Sequence, residues 1–413
     1  MDKSKTRILK GFRDFLPEKM YIRNRVISIL REVFESFGFS ELATPTLEYQ
    51  EVLLGKYGEE AEKLMYLFKD QGERGVGLKY DLTVPLSRVM ADYPNLPIPF
   101  KRYQIQPIFR AEKPQKGRYR EVYQCDVDTI GSSSNVADAE ILAIISTCLN
   151  KLNFTDYKIR LNSRKVLFNL IEKAGIKADK SQTILRSIDK LDKKNQSEVE
   201  KELADKGLSK ETITKLFANL KSAEMDDDLK EIISLANKMG AKNIEFDPIL
   251  VRGLDYYTGS IFETVVKKPK IGSITGGGRF DNLIEKLGGP DLPAVGTTIG
   301  LDRICDCIEE LNLWPNIASS PTKVLVTVFS KALFSNSLDL AKILRNKGIN
   351  CELYPSLEKL DKQLKYADKK GIPWVIIIGS DEAEKEVVTL KNLEAKSQDT
   401  MKLEKAIDII KAS

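Results

Sequence analysis

Between Glu18 and Phe37 the apolar positions Val26, Ile27, Leu30, Val33, Phe34 and Phe37 fall at i, i+3, i+4 spacing, with Gly38 where a helix C-cap belongs. That pattern predicts an amphipathic helix. Phe39 to Glu48 reads as extended, and Pro45, which has no N–H to give a ladder, points to a sheet edge or an interface. Lys101 to Phe109 and Tyr119 to Ile130 alternate in strand fashion around a turn at Glu112 to Gly117, which predicts an antiparallel hairpin. Asn135 to Leu152 reads as another helix and Asp156 to Leu161 as another strand.

From about Ser163 to Glu245 the texture changes to Lys, Glu, Asp and Ser with helical apolar spacing, as in Lys210 to Leu220 and in Val199 to Lys206, which Gly207 would cap. This predicts a small helical insertion. A strand-and-glycine pattern resumes over Pro248 to Val266 and Ser273 to Phe280, then runs through Gly288-Gly289-Pro290 to Thr297-Thr298-Ile299-Gly300 and a helix from near Leu301. Runs of strands with helices set between them, without regular βαβ alternation, favour an antiparallel α+β core. After Trp314 to Pro321, a linker by composition, short buried-type strands at Lys323 to Phe329, Asn350 to Leu353 and Trp374 to Gly379 alternate with helical stretches Ser335 to Lys347 and Ser356 to Lys370. That alternation predicts a separate parallel or mixed α/β domain.

Composition narrows the chemistry. The 413 residues contain no histidine, which removes Ser-His-Asp and Cys-His nucleophiles, imidazole acid–base catalysis and every His-ligated metal site. Carboxylates, arginines, backbone amides, hydroxyls and a bound metal ion remain, a set suited to phosphoryl or nucleotidyl transfer, where positioning and charge stabilisation dominate. Cys125, Cys148, Cys305, Cys307 and Cys351 show no C-x-x-C spacing and read as reduced, largely buried thiols. The start leads into no apolar signal run, and no apolar segment is long enough to span a bilayer, so a soluble, cytoplasmic protein without a membrane partner is expected.

A net charge of +5 makes the chain no polycation, so nucleic-acid binding has to rest on local clusters. One such cluster lies between Lys101 and Arg120, where seven basic residues face a single acid, Glu112. It reads either as a solvated charged hairpin or as a phosphate-binding tip. The octapeptide Arg252-Gly253-Leu254-Asp255-Tyr256-Tyr257-Thr258-Gly259 sets a cation, a carboxylate and two phenols between glycines that allow close backbone approach. It reads either as a binding surface or as a strand entering a turn with a buried Arg–Asp pair.

Three further clusters bear on that choice. Phe109-Arg110-Ala111-Glu112 ends one strand, Tyr119 to Asp128 returns as the next, and Gly300-Leu301-Asp302-Arg303 leads from a glycine-rich strand into a helix. In this order the chain resembles class II aminoacyl-tRNA synthetases, with the helix before Gly38 and Pro45 as first motif, Phe109 to Asp128 as second and Gly296 to Arg303 as third. Within that class, Arg252 to Gly259, Tyr80-Asp81-Leu82-Thr83-Val84-Pro85 and Gly276-Gly277-Gly278-Arg279-Phe280-Asp281 resemble the signature peptides of the histidyl-tRNA synthetase family. Many bacterial members carry Glu at the position of Asp81 and Tyr at that of Phe280, so this chain is similar to the eukaryote-like branch there.

The resemblance implies a class II antiparallel catalytic domain over 1–320 with the insertion at about 163–245, and an anticodon-binding α/β domain over 321–413. It implies ligation of L-histidine to tRNA(His) with ATP and Mg²⁺, by a homodimer. By resemblance Arg110 and Arg252 are the catalytic clamps on the α-phosphate and the attacking carboxylate, while Glu112 and Arg303 complete the ATP site. Asp81, Leu82, Thr83 and Gln124 belong to the amino-acid site, the first, third and fourth as ammonium ligands; Asp128, Tyr256 and Tyr257 form its imidazole end. Asp128 follows Gln124 by four residues in a strand, so equal parity puts both side chains on one face. In this context the basic tip, Lys113, Lys116, Arg118 and Arg120, is expected against acceptor-stem phosphates of tRNA. The rival expectation is a catalytically silent paralogue serving as regulatory subunit of ATP phosphoribosyltransferase; such chains usually lack the tail domain and lose catalytic arginines, whereas Arg110, Arg252 and the tail are all present.

Overall fold

The computed structural model describes residues 6–55, 62–115, 117–252, 256–315 and 320–412. Lys116, Gly253 to Asp255 and the linker residues 316–319 lie outside the described set. The chain divides into two compact units, one of Met1–Asp14 with Arg25–Trp314 and one of Phe15–Asn24 with Pro315–Ser413.

The first unit is built on an eight-stranded sheet. Its strands are β1 (Ser40–Glu41), β5 (Phe100–Phe109), β6 (Glu121–Ile130), β7 (Tyr157–Ser163), β8 (Ile244–Phe246), β9 (Ser260–Val266), β10 (Thr275–Arg279) and β11 (Ala294–Gly300), in the spatial order β1-β5-β6-β11-β10-β9-β7-β8. All central pairs are antiparallel; only the edge pairs β1–β5 and β7–β8 are parallel. This is the α+β sheet that the alternating pattern predicts. A smaller antiparallel sheet of β2 (Leu47–Tyr49), β3 (Leu67–Lys69) and β4 (Gly75–Leu78) stands beside it.

Helix α1 (Pro17–Ser36) matches its apolar spacing: Val26, Leu30, Val33 and Phe34 are fully buried. Gly38 ends it at φ +80°, its N–H donating to Glu35 O at 2.9 Å. The segment read as one extended stretch from Phe39 to Glu48 is instead divided between the two sheets, with Pro45 at the passage, since a residue without an N–H cannot continue either ladder. Next come α2 (Thr83–Asp92) and α3 (Asn135–Lys151). Helix α3 buries Ile141, Leu142, Ile144, Ile145 and Cys148 against β6, β10 and β11, and carries the Ser134 hydroxyl as N-cap on Val136 N–H.

Between β7 and β8 lie five helices, α4 (Arg164–Lys173), α5 (Ala178–Ile188), α6 (Gln196–Asp205), α7 (Lys210–Lys221) and α8 (Asp227–Lys238), with a 3₁₀ turn at Asp189–Asp192. Side-chain caps at Ser163, Asn195, Ser209 and Asp226 start four of them, the Asn195–Glu198 pair forming a reciprocal capping box. Of the predicted strand Pro248 to Val266, a strand forms over Ser260–Val266, while Arg252, Tyr256 and Tyr257 line a cleft. Helix α9 (Leu301–Glu310) follows β11 directly.

The tail is a mixed five-stranded sheet. Its order is β13 (Cys351–Leu353), β12 (Val324–Val326), β14 (Trp374–Ile377), β15 (Val388–Asn392), β16 (Ser397–Met401), parallel across the first three and antiparallel across the rest. Helices α10 (Phe334–Asn346) and α12 (Leu403–Ala412) help enclose a core of Val324, Val326, Leu340, Leu344, Ile376, Leu390, Ile407 and Ile410. Helix α11 (Leu360–Lys370) packs Ala367 beside Leu325, Ile372 and Val375. Among the described residues no helix is long and apolar enough to cross a membrane.

Candidate active site

Alternation along β6 sends Cys125, Val127 and Thr129 into the core and Gln124, Asp126 and Asp128 into a cleft of about 420 Å³. Equal parity therefore does put Gln124 and Asp128 on one face. It also exposes a residue missed in the sequence, Asp126, whose position between them was signal enough. The strand register sets Gln106, Gln104 and Arg102 of β5 opposite Gln124, Asp126 and Asp128. These partners form a buried polar layer: Arg102 Nη2 lies 2.8 Å from Asp128 Oδ2, Gln104 Nε2 donates to Thr44 Oγ1 at 2.8 Å, and Lys79 Nζ donates to Gln106 Oε1 at 2.6 Å. Thr298 of β11 donates to Asp126 Oδ1 at 2.6 Å.

Electrostatics follow from that burial. Desolvation pushes the carboxyls of Asp126 and Asp128 up, Arg102 pulls both back, and Asp81 adds like charge. Burial pulls the Lys79 ammonium down to about 8. Burial leaves these carboxylates short of solvent, and a cationic guest that displaces their protons would supply the missing countercharge. Gln124 Oε1 is buried without a hydrogen-bond partner, an acceptor free for such a guest.

Asp81 reaches the same cleft from the start of α2. Its Oδ1 accepts the N–H groups of Thr83 at 3.1 Å and Val84 at 3.0 Å, so the carboxylate caps the helix while Thr83 lines the wall. Leu82 is fully buried and outside the lining; its carbonyl accepts from Arg102 Nη2 at 3.3 Å, so it acts on the pocket through backbone only. Tyr256 and Tyr257 close the opposite side with ring centroids 4.9 Å apart, Phe280 standing 6.1 Å from Tyr256.

Four guanidinium groups, those of Arg110, Arg118, Arg252 and Arg303, line the remainder. Arg110 donates to Tyr80 O at 3.1 Å and lies 4.4 Å from the Tyr80 ring centre. Arg252 holds a left-handed backbone, φ +62°, and donates from Nη1 to Glu263 Oε2 at 3.0 Å. Its guanidinium lies on Gly276, where a Cβ would come within 2.4 Å of Nη2; only glycine leaves the room. Gly296 serves Asp128 likewise, since a Cβ there would sit 1.9 Å from Oδ1. Arg303 is tied to Gly117 O and Ser273 O, and burial, with the cations Arg118 and Arg110 beside it, pulls it below the usual guanidinium range. Converging cations with few acids between them suit a polyanion.

The expected tRNA contacts separate. Arg118 lines the cleft and lies 3.7 Å from Glu112, Arg120 is engaged by Glu112 O and Lys10 O, and Lys113 is exposed. Glu112 itself lines the cleft. The described residues include no group of three His, Cys, Asp or Glu side chains suited to a metal, and Asp302, an acid of the rim, already accepts from Arg13 and from Tyr123 N–H. Among the described residues that donor set does not fit a protein-held metal ion.

Residues 11–304 match the family profile described as histidyl-tRNA synthetase, and residues 323–413 match the anticodon-binding domain profile. The histidine–tRNA ligase of Rhodopirellula baltica is 41% identical over 95% of this chain and 95% of its own, and that of Aeropyrum pernix is 41% identical over 92% of each. The crystal structure of histidyl-tRNA synthetase from Nostoc sp. PCC 7120 superposes with a TM-score of 0.86 at 29% identity, covering 98% of this chain and 99% of that one. With a cleft of arginines facing a buried carboxylate pocket inside the matched region, the chain belongs to the histidyl-tRNA synthetase family.

Proposed function

We propose that the cleft activates L-histidine with ATP and then charges tRNA(His), with each side chain in a definite role. The observation that carries this is the meeting of Arg110, Arg252 and Arg303 with Asp81, Gln124 and Asp128 in one cavity: cations for a triphosphate adjoin acceptors for an amino acid. In the first step the histidine carboxylate attacks the α-phosphorus, the bond to the bridging oxygen breaks, and pyrophosphate leaves with the electron pair. Arg110 and Arg252 bring the two anions together and stabilise charge developing on the phosphate oxygens. Arg303 and Glu112 hold the ATP, and Mg²⁺ accompanies it as the phosphate complex. Asp81, Thr83 and Gln124 take the ammonium, while Asp128, Tyr256 and Tyr257 meet the imidazole, so an analogue lacking a ring nitrogen leaves buried polar groups unmatched.

In the second step the terminal ribose hydroxyl attacks the activated carbonyl and AMP leaves. The enzyme supplies no imidazole as base; the adenylate's phosphate oxygen accepts the proton. Lys113 and Arg118 then meet acceptor-stem phosphates, Arg120 shapes the loop, and Lys116, outside the described residues, is assigned to the same contact from its place in the sequence. The tail binds the anticodon. A second copy of the chain is the expected partner for the small sheet, whose Leu47, Tyr49, Leu67 and Phe68 are exposed, and the homodimer works in the cytoplasm. The domain assignment we favour is catalytic over 1–320, with its insertion, and anticodon-binding over 321–413. The silent regulatory paralogue is the weaker reading, because the arginines it would lose line the cleft.

Histidine-dependent ATP–pyrophosphate exchange tests the reading. Exchange with histidine alone among the amino acids, followed by charging of tRNA(His), is expected; exchange driven by another amino acid overturns the specificity, and none at all overturns the enzyme.

A further inference from the structure

One transverse row of the large sheet links the helical insertion to the cleft. Across it the strand registers align Arg160 of β7, Glu263 of β9, Gly276 of β10, Thr298 of β11 and Asp126 of β6. Gly276 leaves a gap in that row, and the Arg252 guanidinium lies over it. Glu263 thus has arginine on both sides and gives each its own oxygen: Oε1 accepts from Arg160 Nη1 at 2.7 Å, Oε2 from Arg252 Nη1 at 3.0 Å.

Arg160 is in turn held from the insertion. Its Nη1 and Nη2 donate to the two oxygens of Asp192 at 3.0 and 2.9 Å, and its Nε donates to Asp247 at 2.6 Å. Asp192 ends the 3₁₀ turn after α5. The insertion grips Arg252 a second time through Arg164, the first residue of α4, whose guanidinium donates to Arg252 O at 3.2 Å while its N–H donates to Gly259 O at 2.9 Å. One insertion residue therefore brackets both ends of the Arg252–Gly259 segment, and another fixes the fork that aims Glu263.

We propose that Asp192 and Glu263 are positioning residues for Arg252, the Asp192–Arg160–Glu263 chain letting the helical insertion set where that guanidinium stands over the reacting phosphate. The reasoning rests on the role assigned to Arg252 above. A planar guanidinium that donates from three nitrogens to three carboxylates has one orientation, and Glu263 Oε2 is left one direction in which to present itself. Arg252, in a backbone conformation unfavourable for a non-glycine residue, depends on such outside supports. Neither Asp192 nor Arg160 is among the residues lining the cleft, so their effect on the reaction passes through Glu263.

The test is steady-state ATP–pyrophosphate exchange by the full chain with Asp192→Asn, Glu263→Gln, the double variant, Asp192→Glu and Arg252→Ala, each with KM for histidine and ATP and a melting temperature. Asp192 sits at a partly exposed end of the chain, so Asp192→Asn should move Tm by no more than about 2 °C. Its kcat should fall about tenfold with both KM values within about twofold, and Glu263→Gln should cost about a hundredfold. The double variant should be no slower than Glu263→Gln, because both act through one carboxylate, and Asp192→Glu should recover most of the rate. An unchanged kcat in Asp192→Asn, a loss that multiplies in the double variant, or a loss that follows Tm overturns the proposal. Exchange surviving in Arg252→Ala would instead remove the role on which the proposal rests, and that arm keeps the two failures apart.

Discussion

Adjacent glycines of β10 should respond in opposite ways to one added methyl group. At Gly276 the new Cβ would meet the guanidinium of Arg252, with Nη2 at 2.4 Å and Cζ at 2.6 Å. Those atoms end a flexible side chain, so relief is a retreat of the guanidinium by about 1 Å to ordinary contact distance. A displacement of that size at a group clamping the reacting phosphate costs about a hundredfold in rate, or about 2.7 kcal/mol of barrier. Stability should change by less than about 1 kcal/mol, since alanine also restricts the unfolded chain. At Gly277 the Cβ would meet backbone, Gly296 O at 2.1 Å and Thr297 Cα at 2.7 Å, which no rotamer change relieves. Gly277→Ala should therefore lose about 3 kcal/mol of stability. Denaturant titration and ATP–pyrophosphate exchange on both variants separate the effects. A Gly276→Ala enzyme within about twofold of the parent rate would refute the placement of Arg252 or its part in the chemistry.

The remaining predictions use the buried charges and the surface. Asp128→Asn removes the carboxylate paired with the buried Arg102, and should cost about 3 kcal/mol of unfolding free energy in urea together with a higher KM for histidine. Because burial holds the Asp126 and Asp128 carboxyls above their usual range, docking a cation should expel protons: calorimetry of histidine binding near neutral pH, in buffers of different ionisation enthalpy, should show net release that shrinks in Asp126→Asn. Lys79 has its folded pKa lowered to about 8 against 10.5, so its stability contribution is complete above the unfolded value and lost as pH falls through about 8; the parent should gain stability from pH 8 to 10.5 relative to Lys79→Met, and parallel curves would contradict the burial argument. Lys113→Ala should reduce the slope of log affinity for tRNA against log salt by about 1 and leave exchange untouched, whereas an unchanged slope would take Lys113 off the interface.

Much of the architecture was legible because it is periodic. The α1 stripe, the β5–β6 hairpin and the α3 helix carry repeats of 3.6 or 2 that burial enforces, and Gly38 marks a stop that other residues adopt only at a cost. The small sheet was missed because strands of three and four residues, with Leu67 and Phe68 exposed, are too short to show a period. In the tail the β15–β16 hairpin escaped notice because the exposed Ser397 to Thr400 run has no apolar face, even though Val388 and Leu390 alternate. Cleft-lining residues with local signals, among them Arg110, Asp81 and the Tyr256–Tyr257 pair, stood out in the sequence. Glu263 and Arg160 did not, because what links them to Arg252 is a cross-strand register between segments about a hundred residues apart, and no window of sequence contains it.

The claim beneath all of this is that Arg110 and Arg252 hold one phosphate next to a pocket for histidine. Equilibrium titration with a non-hydrolysable histidyl sulfamoyl adenosine tests it without turnover. The account predicts tight binding by the parent, about a hundredfold weakening in either Arg110→Ala or Arg252→Ala, and little affinity for the alanyl congener. Equal affinity in the parent and both arginine variants would contradict it.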